Sequence, residues 1–424
     1  MFKQHPKGMV VLFFTEMWER FGFYLMSAIY VLFMDKVLGF DDSTKGNFYA
    51  FFLLASYIFP LLGGWLGDRI LGQLKTVKLG VVLMLAGYIS LALSGVGRLA
   101  FFYAGLALVA IGTGIFKVNM SVLVGNLYRK RPDLKDSGFN IYYMGVNVGA
   151  TIGPLGATIL GVLFNSYTAG FWAAAVGMVL AFGVLLYGTP LLREADHRGG
   201  VAAHPDQPAN PNAAKEFWPR VITLGILFLI ASFFWVPFYQ NGFALTLFAD
   251  RSTVPYKFLR PETYMMFNAI FILLLTPPVL WVYSLLRRRN LEPATPVKIF
   301  LGLLIMGVGM LVMVLASLLG GNLDQPIMSP FWLITAYFFI TLAEILISPM
   351  GQSYVSKVAP PQIQGLMMGG WFGATALGAM SSGLFGKLYS DFAHHQYFLV
   401  LAGLSFFAAI LILLFMKKLK RFGQ

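Results

Sequence analysis

A helix that crosses a bilayer needs about 20 consecutive, mostly apolar residues, and stretches of that kind recur along the whole of this sequence. They cover roughly residues 8–34, 46–66, 77–95, 99–124, 137–164 and 169–190, then 218–249, 264–286, 296–319, 330–355, 362–389 and 397–415. The expected fold is an all-α membrane protein with twelve transmembrane helices in two six-helix bundles, 1–190 and 218–424. Residues 191–217, rich in Pro, Ala, Asn and His, read as a solvated cytoplasmic linker. The first stretch is too long for the roughly 7–15-residue core of a cleaved leader. It also carries Glu16, Glu19 and Arg20, so it reads as the first span.

Composition narrows the function. Of the 424 residues, 58% are hydrophobic and 12% charged, where soluble domains run near about a quarter charged. No domain is left that is large and polar enough to be a soluble enzyme. No Ser-His-Asp set, metal cluster or phosphate loop stands in a usable context. The cysteine count is 0, which excludes disulfides, thiolate metal sites and a cysteine nucleophile. No cofactor and no metal are expected. His394-His395 is a tempting metal dyad, but it reads as a solvated outer loop, and the other histidines (His5, His197 and His204) fall in a terminus or the linker.

The net charge of +13 would suit a nucleic-acid partner, but its distribution gives another reason. With the N-terminus inside, most of the 31 basic residues fall in cytoplasmic loops, among them Arg129-Lys130-Arg131, Arg287-Arg288-Arg289 and Lys417-Lys418. Lys36, Lys45, Arg98, Arg251, Lys257, Arg260 and Lys387 fall outside. That asymmetry is the positive-inside rule. It places both termini in the cytoplasm and calls for no nucleic acid. The expected setting is a bacterial inner membrane, with the lipid bilayer as partner and a monomer as working unit.

Five charges lie deep in the spans: Glu16, Glu19, Arg20, Lys117 and Glu344. Each costs at least about 2.5 kcal/mol at the bilayer centre, so they must face one another or a wet cavity. Glu16 and Arg20, four apart, share a helix face. Burial favours the neutral form of a carboxyl group and a nearby cation favours the charged form. A carboxylate that gains and loses a cationic partner therefore binds and releases a proton, which is a means of coupling to a proton gradient. Lys117 and Arg20 can cradle a carboxylate and Glu344 can hold an ammonium, so a substrate carrying both groups fits.

These residues sit in motifs that resemble the proton-dependent oligopeptide transporter family of the major facilitator superfamily. Glu16-Met17-Trp18-Glu19-Arg20-Phe21-Gly22-Phe23-Tyr24 is similar to its ExxERFxYY element, with Phe23 for the first Tyr. Gly64-Trp65-Leu66-Gly67-Asp68-Arg69-Ile70-Leu71-Gly72 resembles the general facilitator motif, where Asp68 and Arg69 would latch the cytoplasmic side. Gly112-Thr113-Gly114-Ile115-Phe116-Lys117-Val118-Asn119 matches the fourth-span segment, with Val118 for the usual Pro. The run from Phe139 to Ala150, Glu344-Ile345-Leu346-Ile347-Ser348-Pro349, and Met367-Met368-Gly369-Gly370-Trp371-Phe372 resemble spans five, ten and eleven. The resemblance implies a proton-gradient-driven symporter of di- and tripeptides. Arg20, Lys117 and Tyr24 would hold the peptide carboxylate. Glu344 would hold its ammonium, helped by Asn147 and Asn268, and Tyr57, Trp371 and Thr375 would line the cavity. Glu16, Glu19, Arg20 and Glu344 would couple protons, and Lys117 and Glu344 would also gate.

Two family charges are missing. The Arg late in the first-span motif is Ser27, and the acidic residue of the seventh span is Tyr239. Both partners of the family's outer gate pair are lost together, so the gate at 27 and 239 is expected to close by packing. The linker is also too short for the two extra helices of many bacterial members. Competing readings are a same-fold carrier of a small anion such as nitrate, and a nutrient sensor with a transporter body. The first lacks a histidine in the seventh span and the second lacks an output domain.

Overall fold

The computed structural model describes residues 4–131, 134–196, 213–360 and 363–423. The helices are α1 (Gly8–Lys36), α2 (Asp42–Trp65), α3 (Gln73–Leu93), α4 (Leu99–Leu127), α5 (Lys135–Phe164), α6 (Tyr167–Leu192) and α7 (Ala213–Phe238). A short α8 (Ala244–Arg251) is followed by α9 (Met266–Arg288), α10 (Thr295–Leu319), α11 (Pro330–Val358), α12 (Gln364–Gly386) and α13 (His394–Gly423). Among the described residues each expected span has its helix, the seventh interrupted near its end. Ten helical stretches among the described residues are long and apolar enough to cross a membrane. The two that miss that standard are α1, which holds the buried charges, and the Gly- and Ser-rich α12.

Helix ends follow local chemistry. Pro330 opens α11 behind Ser329, whose side chain accepts from the Phe331 amide; the proline lacks an N–H that would go unused there. Asn165 closes α5 in a left-handed conformation with φ 47, a form asparagine tolerates. Buried hydroxyls bond to carbonyls of their own helix one turn back: Thr15 to Val11 and Ser56 to Phe52, both at 2.8 Å. Such bonds satisfy polar groups where water is absent. Large apolar side chains stand bare on the outside, among them Leu61, Leu163, Leu274, Phe331 and Leu414. In water so much exposed apolar surface would drive aggregation; against lipid it is the natural exterior.

The structure departs from the expected elements in four places. The seventh span breaks after Phe238 into a 3-10 turn, Tyr239–Gly242, before α8. The facilitator motif lies in a π-helical turn, Leu66–Leu71, not in a plain loop. The ends of the expected linker are helical, with Ala195 buried and the Asp196 carboxylate accepting from the Leu74 amide at 3.0 Å. Residues 197–212, with His197 and His204, lie outside the described residues. Finally, His394 and His395 open α13. His394 is buried, with Nε2 3.2 Å from Asp324 Oδ1, where a solvated loop was expected.

The chain divides into two compact units. The first comprises Met1–Phe40, Phe51–Ala203 and Tyr256–Ala269; the second comprises Asp41–Ala50, His204–Pro255 and Ile270–Gln424. In the first, α1 packs between α5 and α6, and α3 between α4 and α6. In the second, α10 packs between α11 and α13, and α7 on α12.

A buried charge cluster and the candidate site

Within the first unit the charges of α1 find one another. The Arg20 guanidinium lies 2.8 Å from Glu16 Oε1 and 3.0 Å from Glu19 Oε2 through the same nitrogen, Nε. Both carboxylates are fully buried and Arg20 is 6% exposed. Arg20 also lies over the Phe23 ring, 5.8 Å from its centre. One turn of helix aligns Glu16 with Arg20. Glu19 reaches the same nitrogen although adjacent residues point about 100° apart, because the long arginine side chain folds back across the face. The cluster is set tight against α5 at Gly149, where a Cβ would sit 2.6 Å from Arg20 Cβ and 2.4 Å from the Met17 carbonyl. Only glycine fits there.

From α4, Thr113 Oγ1 donates to Glu19 Oε1 at 3.3 Å. Lys117, one turn further along α4 and half-buried, places its ammonium 5.5 Å from the centre of the Tyr57 ring, a cation–π contact. Two carboxylate oxygens of the cluster, Glu16 Oε2 and Glu19 Oε2, are buried with no hydrogen-bond partner among the described residues, although Glu19 Oε2 lies 3.0 Å from the Arg20 charge. An unsatisfied buried acceptor costs about 1–3 kcal/mol, and protonating such an oxygen or supplying a donor to it removes the cost. Thr113 was not read as a site residue. Its signal was present all the same: it precedes Lys117 by four residues and so shares its face.

Other expected site residues of this unit are half-buried: Tyr24, Tyr57 and Asn268. Asn147 is buried and its amide bonds the Tyr143 carbonyl at 2.8 Å. Ser27 Oγ donates to the Phe23 carbonyl of its own helix at 2.8 Å. In the π turn, Asp68 Oδ1 accepts from Gln73 at 3.1 Å while Arg69 is exposed.

The second unit holds the rest. Glu344 is half-buried on α11. Trp371 is 1% exposed, its indole filling the space that a side chain at Gly351 would take. Thr375 is buried and donates to the Trp371 carbonyl at 3.1 Å. Tyr239 stands in the 3-10 turn, its ring 5.7 Å from that of Trp235 and its carbonyl accepting from Tyr49 at 2.8 Å. No group of three or more potential metal ligands occurs among the described residues.

Comparison with known proteins agrees with this layout. The POT family model matches residues 74–205 and 212–403. The uncharacterized transporter YclF of Bacillus subtilis is 31% identical, over 91% of this chain and 89% of its own length. The peptide transporter YePEPT of Yersinia enterocolitica is 28% identical, over 90% and 88%. A crystal structure of a mutant of the peptide transporter POT superimposes with a TM-score of 0.87 at 28% identity, covering 100% of this chain and 97% of that one. With twelve long helices among the described residues and this structural match, the fold is the major facilitator fold. This chain, a multi-pass membrane protein, belongs to the POT family of transporters.

Proposed function

We propose that this chain is a peptide transporter that carries di- and tripeptides across the bacterial inner membrane together with protons, by alternating access of two bundles, 1–190 and 218–424. The observation that carries the reading is the fully buried Glu16–Arg20–Glu19 cluster beside Lys117 and Thr113. Inert helix packing does not call for it, since a buried ion pair adds little stability over apolar side chains of similar volume. Relatives named as di- and tripeptide transporters, such as the one from Lactococcus lactis, support the substrate class.

The chemistry follows from two acids sharing one cation. Arg20 Nε donates a hydrogen bond to Glu16 Oε1, and its charge also compensates Glu19, whose Oε2 lies 3.0 Å away. When a peptide carboxylate draws the guanidinium and the Lys117 ammonium toward itself, the carboxylates lose part of their compensation. A proton taken up then restores it. Release of the peptide returns Arg20 to the acids and expels the proton. Arg20, Lys117 and Tyr24 take the substrate carboxylate. Glu344 takes its ammonium with Asn147 and Asn268, and Tyr57, Trp371 and Thr375 set the walls. Lys117, Glu344, Asp68, Arg69 and the positions 27 and 239 act in gating. The driving force is the proton gradient, with no cofactor, both termini lie in the cytoplasm, and the monomer is the working unit.

The test is competition against labelled dialanine by peptides blocked at one end. Acetylating the N-terminus or amidating the C-terminus removes one ion contact, worth roughly 2–5 kcal/mol when desolvated. Each blocked peptide should therefore compete at least about tenfold more weakly. Equal competition by free and blocked peptides would refute recognition through the two charged ends.

A further inference from the structure

One buried hydroxyl breaks the habit of the others. Thr15, Ser27, Ser56, Thr151, Thr375 and Ser405 each donate to the carbonyl four residues back in their own helix, as hydroxyls in apolar helices do. Thr113 does not. Among the described residues its Oγ1 meets Glu19 Oε1 of α1 at 3.3 Å and Met84 Sδ of α3 at 3.1 Å. Thr113 and Met84 are both buried. Glycine sets the approach: a Cβ at Gly80 would sit 2.9 Å from the Gly112 carbonyl, and one at Gly112 would sit 2.7 Å from Met84 Cγ. α3 and α4 therefore touch one residue before Thr113, and its hydroxyl is held between an acid and a thioether. All of these residues belong to the first unit.

A hydroxyl has one hydrogen to give and lone pairs to accept with, whereas a thioether only accepts, and weakly. While Glu19 is a carboxylate, the Thr113 hydrogen goes to it, since a charged acceptor binds about twice as strongly as a neutral one. Once Glu19 is a carboxylic acid, its own O–H needs an acceptor. Thr113 Oγ1 becomes that acceptor, and its hydrogen turns to Met84 Sδ. One added proton, resting on Glu19, thus reverses one hydrogen bond and makes another. Packing alone does not ask for the sulfur, because leucine fills a similar volume. Other ionisable groups act on Glu19 as well: Arg20 and Glu16 on its own helix, Lys117 on α4 and Tyr88 on α3. Tyr142 on α5 faces Glu16.

We infer that Thr113 and Met84 form a hydroxyl switch that holds Glu19 in both of its protonation states, Thr113 as the positioning residue and Met84 as the acceptor reserved for the protonated state. The inference rests on the proposed transport reading and adds to it how the proton is kept between uptake and release.

Two substitutions should move proton binding in opposite directions. Thr113→Val keeps the shape and removes the hydroxyl. The carboxylate loses the stronger bond, so Glu19 should take its proton at a pH about one unit higher, about a tenfold change in proton affinity. Met84→Leu touches only the protonated state, so the midpoint should fall by about half a pH unit; Met84→Ile replaces it should leucine unsettle the fold. The double variant should match Thr113→Val, because Met84 acts only through that hydroxyl. Thr113→Ser, which keeps the hydroxyl, should restore the wild-type midpoint. The readout is the carboxylic C=O band of Glu19 in infrared difference spectra of the full chain in liposomes, titrated with pH and assigned by its loss in Glu19→Gln. It needs no substrate. The pH profile of labelled dialanine uptake should shift in step with it. A midpoint that loss of the Met84 sulfur leaves unchanged or raises would overturn the switch, as would additive shifts in the double variant. If the wild type takes up no dialanine, the peptide reading has failed and the infrared midpoints alone judge the switch.

Discussion

Glu19→Gln separates a coupling carboxylate from a structural one. The side chain keeps its volume, and its carbonyl can still accept from Thr113, now 3.3 Å away. Arg20 loses the contact at 3.0 Å but keeps Glu16 at 2.8 Å, so no charge is left unpaired. The structural cost is thus the difference between a charged and a neutral hydrogen bond, about 1 kcal/mol. The roughly 3–5 kcal/mol of a stranded buried ion does not arise. Thermal unfolding in detergent should shift by a few degrees at most. The transport cost is far larger. An inward gradient of about 2 pH units supplies about 2.7 kcal/mol per proton, enough for about 100-fold accumulation of one peptide per proton. The variant should lose that accumulation and come to equilibrium at equal concentrations. Counterflow, the exchange of labelled for unlabelled peptide, needs no net proton movement and should persist. Gradient-driven accumulation equal to wild type would remove Glu19 from the coupling scheme. Loss of both modes together with a large drop in unfolding temperature would make its role structural.

Other consequences follow from the same geometry. Arg20→Ala strands two buried carboxylates at once and should abolish uptake and binding of dialanine by calorimetry, with a loss of stability of about 3–5 kcal/mol; the conservative Arg20→Lys should recover stability better than transport, since it keeps the charge without the fork. If positions 27 and 239 meet during gating, Ser27→Arg should damage uptake more than Tyr239→Asp, and the double variant should recover activity relative to Ser27→Arg; a coupling energy near zero in that cycle would refute the meeting. The Glu292 carboxyl in the loop after α9 is held down at about 2 by hydrogen bonds from Arg287 and then Lys298. Its pKa is lower folded than unfolded, so its stabilisation is present above about pH 4.5 and fades as pH falls toward about 2. The difference in unfolding temperature between wild type and Glu292→Gln should narrow over that window and stay constant above it.

The helices were legible because each needs about 20 apolar residues and little else competes with that signal. The Glu16–Arg20 pair was legible from its spacing of one helical turn. The share of Glu19 in the same guanidinium was not, because angular position on a helix takes no account of how far an arginine can fold back. The break at Tyr239–Gly242 was signalled by Pro237 and by Gln240-Asn241-Gly242, but these few residues sit between two apolar runs that together read as one span. Trp371 could be read from its motif as a wall of the cavity. Its near-complete burial against Gly351 shows a packing role that pattern alone does not reveal.

The most direct test of the account is uptake of labelled dialanine into liposomes containing the purified chain, with and without an inward proton gradient. The account predicts accumulation above the external concentration only with the gradient, abolished by a protonophore. Accumulation that ignores the gradient, or an absence of dialanine uptake by protein that is folded and correctly inserted, would contradict it.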